Sequence, residues 1–295
     1  MTFGIIGNTA KEVVRDVTRD VVAYLEQKGS KVLVHEALAR WCDSSGSTRK
    51  IPDSMKCPES DLPQKSDIVI SLGGDGTMLA AARIVGKKSI PLFGVNLGKL
   101  GFLAEVSIEE MHQAIDEVIE GKYTVEERMV LEAHCKQDGR SFFALNEIVV
   151  DKGASGRVID LETYVNNAFL VTYTADGIIV NTPTGSTAYS LASGGPIVVP
   201  QSKVITINPI APHTLTARPI IVPEGSVMRV VVKSPAKSVH ITADGQMEEF
   251  YIPPIELTIR QADYKVKLVK RIGRTYYDLL RAKLMWGKDV RQGGK

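Results

Sequence analysis

Cysteine is scarce and badly placed for structural work. Cys42, Cys57 and Cys135 are odd in number, far apart and without a C-x-x-C pair, which argues against a disulfide framework and a zinc site. The five histidines show no metal-ligand spacing. An excess of one charge is also missing. Across 295 residues, 36 Lys+Arg face 34 Asp+Glu, a formal net charge of +2, so nothing electrostatic favours nucleic acid as a partner. The residues from Met1 to Asn8 lack the basic region and longer apolar stretch of a signal peptide. The longest uncharged stretch, between Asp176 and Lys203, contains Pro183, Pro196 and Pro200, which would break a lipid-exposed helix, so no membrane partner is expected. A reducing cytoplasm is the expected compartment.

Familiar catalytic motifs are absent as well. Gly94 to Leu100 has three residues between its glycines and no Ser or Thr after Lys99, so it is not a Walker A loop. No G-x-G-x-x-G follows the first apolar run, and neither G-x-S-x-G nor H-E-x-x-H occurs. What is present is ordinary globular material: 44% hydrophobic and 24% charged residues, enough apolar surface to exclude intrinsic disorder.

The first third alternates strand and helix. Thr2 to Ile6, Lys31 to His35, Ile68 to Leu72 and Ile90 to Val95 read as strands, and Ala10 to Lys28 and Met78 to Val85 as helices. Ser44 to Lys65 reads as a long surface loop. A helix is expected from Ser107, capped by its hydroxyl and by Glu110 in a capping box, with Met111, Ile115, Val118 and Ile119 facing inward. After about residue 125 the period shortens, and runs such as Leu161 to Val165, Val227 to Val232 and Lys265 to Val269 predict an all-β domain of two packed sheets. Helical spacing returns from Thr275 to Trp286. The expected architecture is α/β plus all-β. A doubly wound Rossmann-like domain (1–125, with 275–295) precedes a β-sandwich-like domain (126–274), and the C-terminal helix packs back on the first. The basic residues of the tail, including Arg271 and Arg274, are expected on a solvated helix face.

Gly73-Gly74-Asp75-Gly76-Thr77 follows a predicted strand and precedes a predicted helix, where open α/β sheets bind ligands. Glycines let a phosphate approach the backbone, and the amides of such a turn form an anion cradle. A carboxylate there needs a reason. Asp75 could hold a divalent cation or accept a proton from an attacking hydroxyl.

This pentapeptide resembles that of a kinase superfamily containing NAD kinases, phosphofructokinases and lipid kinases. Gly94 to Leu103, Asn146-Glu147, the Thr182 to Pro196 block and Asp244-Gly245-Gln246 are similar to motifs of bacterial-type NAD kinases in particular. The resemblance implies transfer of the γ-phosphoryl of ATP to the 2′-hydroxyl of the adenosine ribose of NAD, with polyphosphate as the alternative donor. Asp75 would be the general base in an interdomain cleft. It implies phosphate binding by Gly73, Gly74, Gly76 and Thr77. It implies NAD binding by Asp75, Gly76, Phe102, Asn146, Glu147, Arg157, Thr174, Asp176, Thr187, Ala188, Tyr189, Ser190, Leu191, Ala192 and Gln246. Mg²⁺ is the expected cofactor, with its ligands unknown, and a homodimer or homotetramer is expected. The hydroxyl-rich block suits a ribose and pyrophosphate, with Tyr189 offering a flat face to a base, although Ser and Thr can equally cap their own turns. A lipid kinase and a non-catalytic NAD-binding sensor are the alternatives.

Overall fold

The computed structural model describes residues 1–44, 50–233 and 238–285. The chain divides into two compact units, Met1–Glu127 with Val266–Lys295, and Arg128–Lys265.

In the first unit, continuous apolar runs become strands buried on both faces: β1 Thr2–Gly7, β2 Lys31–His35, β3 Lys56–Cys57, β4 Ile68–Gly73 and β5 Leu92–Asn96. They pair in parallel in the order β5-β4-β1-β2-β3. Helices α1 Val14–Gln27, α2 Glu36–Asp43, α3 Leu62–Lys65, α4 Asp75–Val85 and α5 Met111–Ile119 complete the alternation. The chain order 3-2-1-4-5 is that of a Rossmann-type sheet, whose order reverses between β1 and β4. Asn8 after β1 donates its N–H to Leu72 O of β4 at 3.0 Å, joining the two loops at that reversal. Phe3, Ile5, Leu25, Ile70 and Phe93 are among the residues of the core.

Several expectations shift here. Helix α1 starts at Val14 rather than Ala10, because Asn8 draws the chain into a turn: its side chain accepts the N–H of Ala10 and its carbonyl that of Lys11. The stretch expected as a loop from Ser44 to Lys65 contains β3 and α3; residues 45–49 lie outside the described residues. Val34 and His35 recruit Lys56 and Cys57 into the sheet, and Lys56 is held between Asp43 and Asp53, a tertiary pairing that local polarity does not announce. Helix α5 starts at Met111, and Ser107 does not cap it. The Glu110 carboxylate does reach back to accept the Ser107 N–H at 3.4 Å, but it also meets Arg271 at 3.3 Å and Arg274, and the turn over residues 108–110 precedes the helix. Those arginines are therefore ion-paired, Arg271 also with Glu117 at 2.6 Å, rather than lying on a solvated basic face.

The second unit holds β6 Tyr123–Cys135 (entering from the first), β7 Ser141–Ala144, β8 Glu147–Asp151, β9 Ile159–Val165, β10 Ala168–Ala175, β11 Gly177–Asn181, β12 Val204–Ile210, β13 Ile220–Pro223, β14 Met228–Val232, β15 Val239–Ala243, β16 Met247–Tyr251 and β17 Ile255–Arg271, with the short helix α6 Tyr189–Ala192. One sheet runs β10-β9-β14-β17, with β6 pairing β17 and β7; the other is β13-β12-β11-β8-β15-β16. Alternating residues such as Leu161, Val230 and Leu257 from one sheet and Ile148, Ile178 and Ile241 from the other fill a shared core. The chain returns to the first unit at Val266, before the expected residue 275, because the end of β17 joins the parallel sheet, Leu268 pairing with Leu92. Helix α7 Tyr276–Leu284 follows, capped reciprocally by Thr275 and Asp278, and buries Leu279 and Leu280. Trp286, expected in this helix, lies outside the described residues. Among the described residues no helix is long and apolar enough to cross a membrane.

Candidate active site

The G-G-D-G-T sequence sits at the carboxyl end of β4, beside the reversal of strand order. Helix α4 begins inside the motif, at Asp75 rather than at Met78. Gly73 ends the strand; a Cβ there would lie 2.0 Å from Thr77 Oγ1. Gly74 is different. Its backbone is extended, and an added Cβ would meet nothing within 4 Å. Neither internal packing nor backbone conformation demands a glycine at 74, so the space in front of it is open to a group from outside. The helix start adds its dipole.

The Asp75 carboxylate is fixed by a role absent from the two read in the sequence. Oδ1 accepts the N–H of Leu103 at 2.9 Å and of Ala104 at 3.1 Å, and Oδ2 that of Phe102 at 2.9 Å. Gly101 is a glycine for this reason, since a Cβ would lie 2.0 Å from Asp75 Oδ1. Buried Asn96 shapes the same loop, its Nδ2 donating to Lys99 O at 2.6 Å and its Oδ1 accepting from Gly98 N at 2.8 Å. Lys11 reaches this end of the sheet, with Nζ 3.3 Å from where a Cβ of Gly98 would stand. The ring of Phe102 has Tyr276 beside it, centroids 6.2 Å apart, and Lys283 Nζ 5.4 Å from its centroid. Among the described residues no group of three His, Cys, Asp or Glu side chains is placed to cage a metal. With three N–H groups on Asp75, this chain suits a Mg²⁺ carried largely by substrate phosphates and water rather than by a protein cage.

In the second unit, Asn146 and Glu147 lie at the start of β8, both buried. Their backbone is tied on all sides. Thr182 donates its N–H to Asn146 O at 2.9 Å and its hydroxyl to Leu145 O at 2.6 Å. Gly185 packs so closely that a Cβ would lie 2.2 Å from Asn146 O. The Asp244 carboxylate accepts the N–H groups of Leu145, Asn146 and Glu147 at 2.9, 2.7 and 3.2 Å. Glu147 itself is 6% exposed; its carboxyl group accepts the N–H of Tyr189, and Oε2 finds no partner among the described residues. Burial first, and the charge of Asp244 second, push its pKa up to about 8.

The hydroxyl-rich block divides in two. Thr182, Ser186 and Ser190 are fully buried and spend their hydroxyls inside the protein: Ser186 donates to Pro183 O and accepts from Val198 N, and Ser190 accepts from Asn208 Nδ2. Ser190, expected to touch NAD, therefore has its side chain turned inward, because the Gly195 corner folds over it. Thr187, Ala188, Tyr189, Leu191 and Ala192 stay on the accessible side, Tyr189 at 46% exposure. Burial, then Asp151, Asp176 and Glu147, raise the pKa of the Tyr189 phenol, so these groups share one region. Gln246 is exposed on the β15–β16 turn next to Asp244. Thr174 donates its hydroxyl to Asp160 at 2.6 Å, Asp176 pairs with Lys152 at 2.7 Å, and Arg157 is exposed on the segment between β8 and β9. Asp244, Asn96 and Gly101 lie within motifs read in the sequence but were given no role there, and Asn208 lay outside every motif. For Asp244 the signal was a turn-forming Asp-Gly pair, which says nothing about a partner almost 100 positions away.

Comparison with known proteins agrees with this geometry. Residues 3–123 match the model of the ATP-NAD kinase N-terminal domain, and 145–271 that of the ATP-NAD kinase C-terminal domain. The chain is 44% identical to an NAD kinase of Bacteroides fragilis over 293 residues, 99% of this chain and 100% of the other. It is 41% identical to an NAD kinase of Geobacter sulfurreducens over 275 residues, 92% of this chain and 94% of the other. Among solved structures, a yeast NADH kinase complexed with NADH superposes with a TM-score of 0.87 at 27% identity, covering 99% of this chain and 89% of that one. An Archaeoglobus fulgidus NAD kinase in complex with ATP shares the fold with a TM-score of 0.75 at 24% identity, covering 96% and 98%.

Proposed function

The chain belongs to the NAD kinase family, and from that membership we propose the chemistry its residues perform. It is a kinase, a phosphotransferase with an alcohol as acceptor. The lipid-kinase and sensor readings have no support beside two matched ATP-NAD kinase domains. The substrates are ATP and NAD. The second unit offers the dinucleotide Asn146, Glu147, Thr187, Ala188, Tyr189 and Gln246. The first offers the donor phosphates Gly73, Gly74, Gly76 and Thr77, the dipole of α4 and the ammonium of Lys11.

The ribose 2′-oxygen attacks the γ-phosphorus, the bond from that phosphorus to the β–γ bridging oxygen breaks, and ADP leaves. The hydroxyl proton passes to Asp75, which later returns it to water. A carboxylate has roughly four lone-pair sites, and three backbone N–H groups leave capacity on Oδ2 for that proton. This clamped carboxylate beside an open Gly74 is the observation that carries the mechanism. General-base help is worth about 10²–10⁴-fold, with alignment supplying the rest. Mg²⁺, when bound with the nucleotide, neutralises charge on the transferring phosphoryl group.

The homodimer or homotetramer expected from the resemblance would cover apolar side chains exposed on the second unit, such as Leu215 and Ile252. Three buried free thiols suit a reducing cytoplasm. The test is a coupled assay in which NADP formed from ATP, Mg²⁺ and NAD is read by an NADP-specific dehydrogenase, with polyphosphate and NADH in parallel. NADP formation with ATP is expected; NAD binding without NADP from either donor would overturn the reading.

A further inference from the structure

In the Asp244-Gly245-Gln246 motif the expected ligand contact is Gln246, yet the Asp244 carboxylate holds three consecutive backbone N–H groups of the segment that presents Asn146 and Glu147. Its own N–H returns to Glu147 O at 3.0 Å, closing the tie from both directions. It does this from a left-handed backbone, φ 55°, followed by Gly245 at φ 62°, on the turn that carries Gln246. Glu147 is buried and feels the Asp244 charge, and both disfavour its ionised form. Asp244 has three donors to stabilise its charge. Glu147 has one, the Tyr189 N–H, and an Oε2 without a partner among the described residues, so its neutral form is favoured.

We propose that Asp244 is a positioning residue for dinucleotide recognition: it fixes the Asn146–Glu147 pair and keeps Glu147 an uncharged carboxyl group that meets the ligand as a hydrogen-bond donor. This rests on the second unit being the dinucleotide site. The chemistry fits that ligand. A pyrophosphate-bearing dinucleotide is anionic, and a neutral carboxyl group serves its ribose oxygens without adding a second negative charge to that of Asp244. The groups acting on Glu147 are Asp244, which opposes its ionisation, and the Tyr189 N–H, which favours it.

The test measures KM for NAD, and NAD binding by calorimetry without ATP, from pH 6 to 9 for wild type, Asp244→Asn and Glu147→Gln. Wild-type affinity is expected to weaken as the pH rises through about 8, where Glu147 ionises. Asp244→Asn removes the neighbouring charge and one acceptor oxygen. Its KM should rise about tenfold at neutral pH, the loss should fall mainly on KM, and the weakening should begin at lower pH than in wild type. Glu147→Gln, which cannot ionise and still donates, should bind with no such pH dependence, and it tests the charge state even if Asp244→Asn folds poorly. An Asp244→Asn profile that bends where wild type does, or a Glu147→Gln profile that keeps the wild-type bend, overturns the proposal. If wild type binds NAD but forms no NADP, the kinase reading fails instead, and the binding profiles still decide the role of Asp244.

Discussion

Asp75 and Asp244 perform the same local task in different surroundings. Each carboxylate accepts three consecutive backbone N–H groups from a segment remote in sequence, Asp75 from Phe102–Ala104 and Asp244 from Leu145–Glu147. Asp75 opens a helix, and the segment it holds is a loop at the end of a parallel sheet. Asp244 stands on a left-handed turn, and the segment it holds starts a strand whose next side chain is a buried acid. The lesson is that three amides can fix a carboxylate without deciding its chemical part. Asp75 keeps lone-pair capacity on Oδ2, which the proposed base role requires. Beside Asp244, burial first and the Asp244 charge second hold the proton on Glu147, whose carboxyl group is pushed up to about 8.

The largest effect expected from this contrast is on stability. The folded-state pKa of Glu147 lies above its unfolded value near 4.5, so the folded protein holds an extra proton between about pH 4.5 and 8. The stability linked to that proton is present below pH 4.5 and is lost as pH rises through about 8, an order-of-magnitude loss of about 3–5 kcal/mol. Urea unfolding of ligand-free wild type should weaken over this window, while Glu147→Gln should lack that slope; parallel slopes would remove the buried acid from the comparison. Next is Gly101→Ala. Its methyl group must displace the Asp75 carboxylate, and kcat should fall about 100-fold. Full activity would mean that the position of Asp75 does not matter. The smallest effects separate two neighbouring glycines. Gly73→Ala collides with Thr77 and should lower the melting temperature. Gly74→Ala meets nothing, should change stability by no more than about 0.5 kcal/mol, and should raise KM for ATP. A stable Gly74→Ala with unchanged KM would mean that no phosphate approaches there.

Much of this was legible before folding, for physical reasons. Buried parallel strands are written as unbroken apolar runs, so β1, β2 and β4 fall close to where those runs lie, and loop glycines mark the ends of strands. Four parts were not legible. Strand β3 exists because Val34 and His35 supply partners for Lys56 and Cys57, while the local sequence is polar and interrupted by proline. The start of α5 moved because Glu110 is claimed by two arginines more than 150 residues away. In the Thr182 to Pro196 block, hydroxyl composition fitted both a ligand surface and self-capping turns. The fold uses both, burying Ser186 and Ser190 and leaving Tyr189 outside. Asp244 was hidden for the reason that hid β3: its partners are set by tertiary pairing.

The most direct test of the central claim is Asp75→Asn, assayed for NADP formation from ATP, Mg²⁺ and NAD while NAD binding is measured on the same preparation. Loss of at least about 100-fold in kcat with NAD binding retained is the predicted result. Asp75→Asn forming NADP as fast as wild type would contradict the assignment of Asp75 as the base.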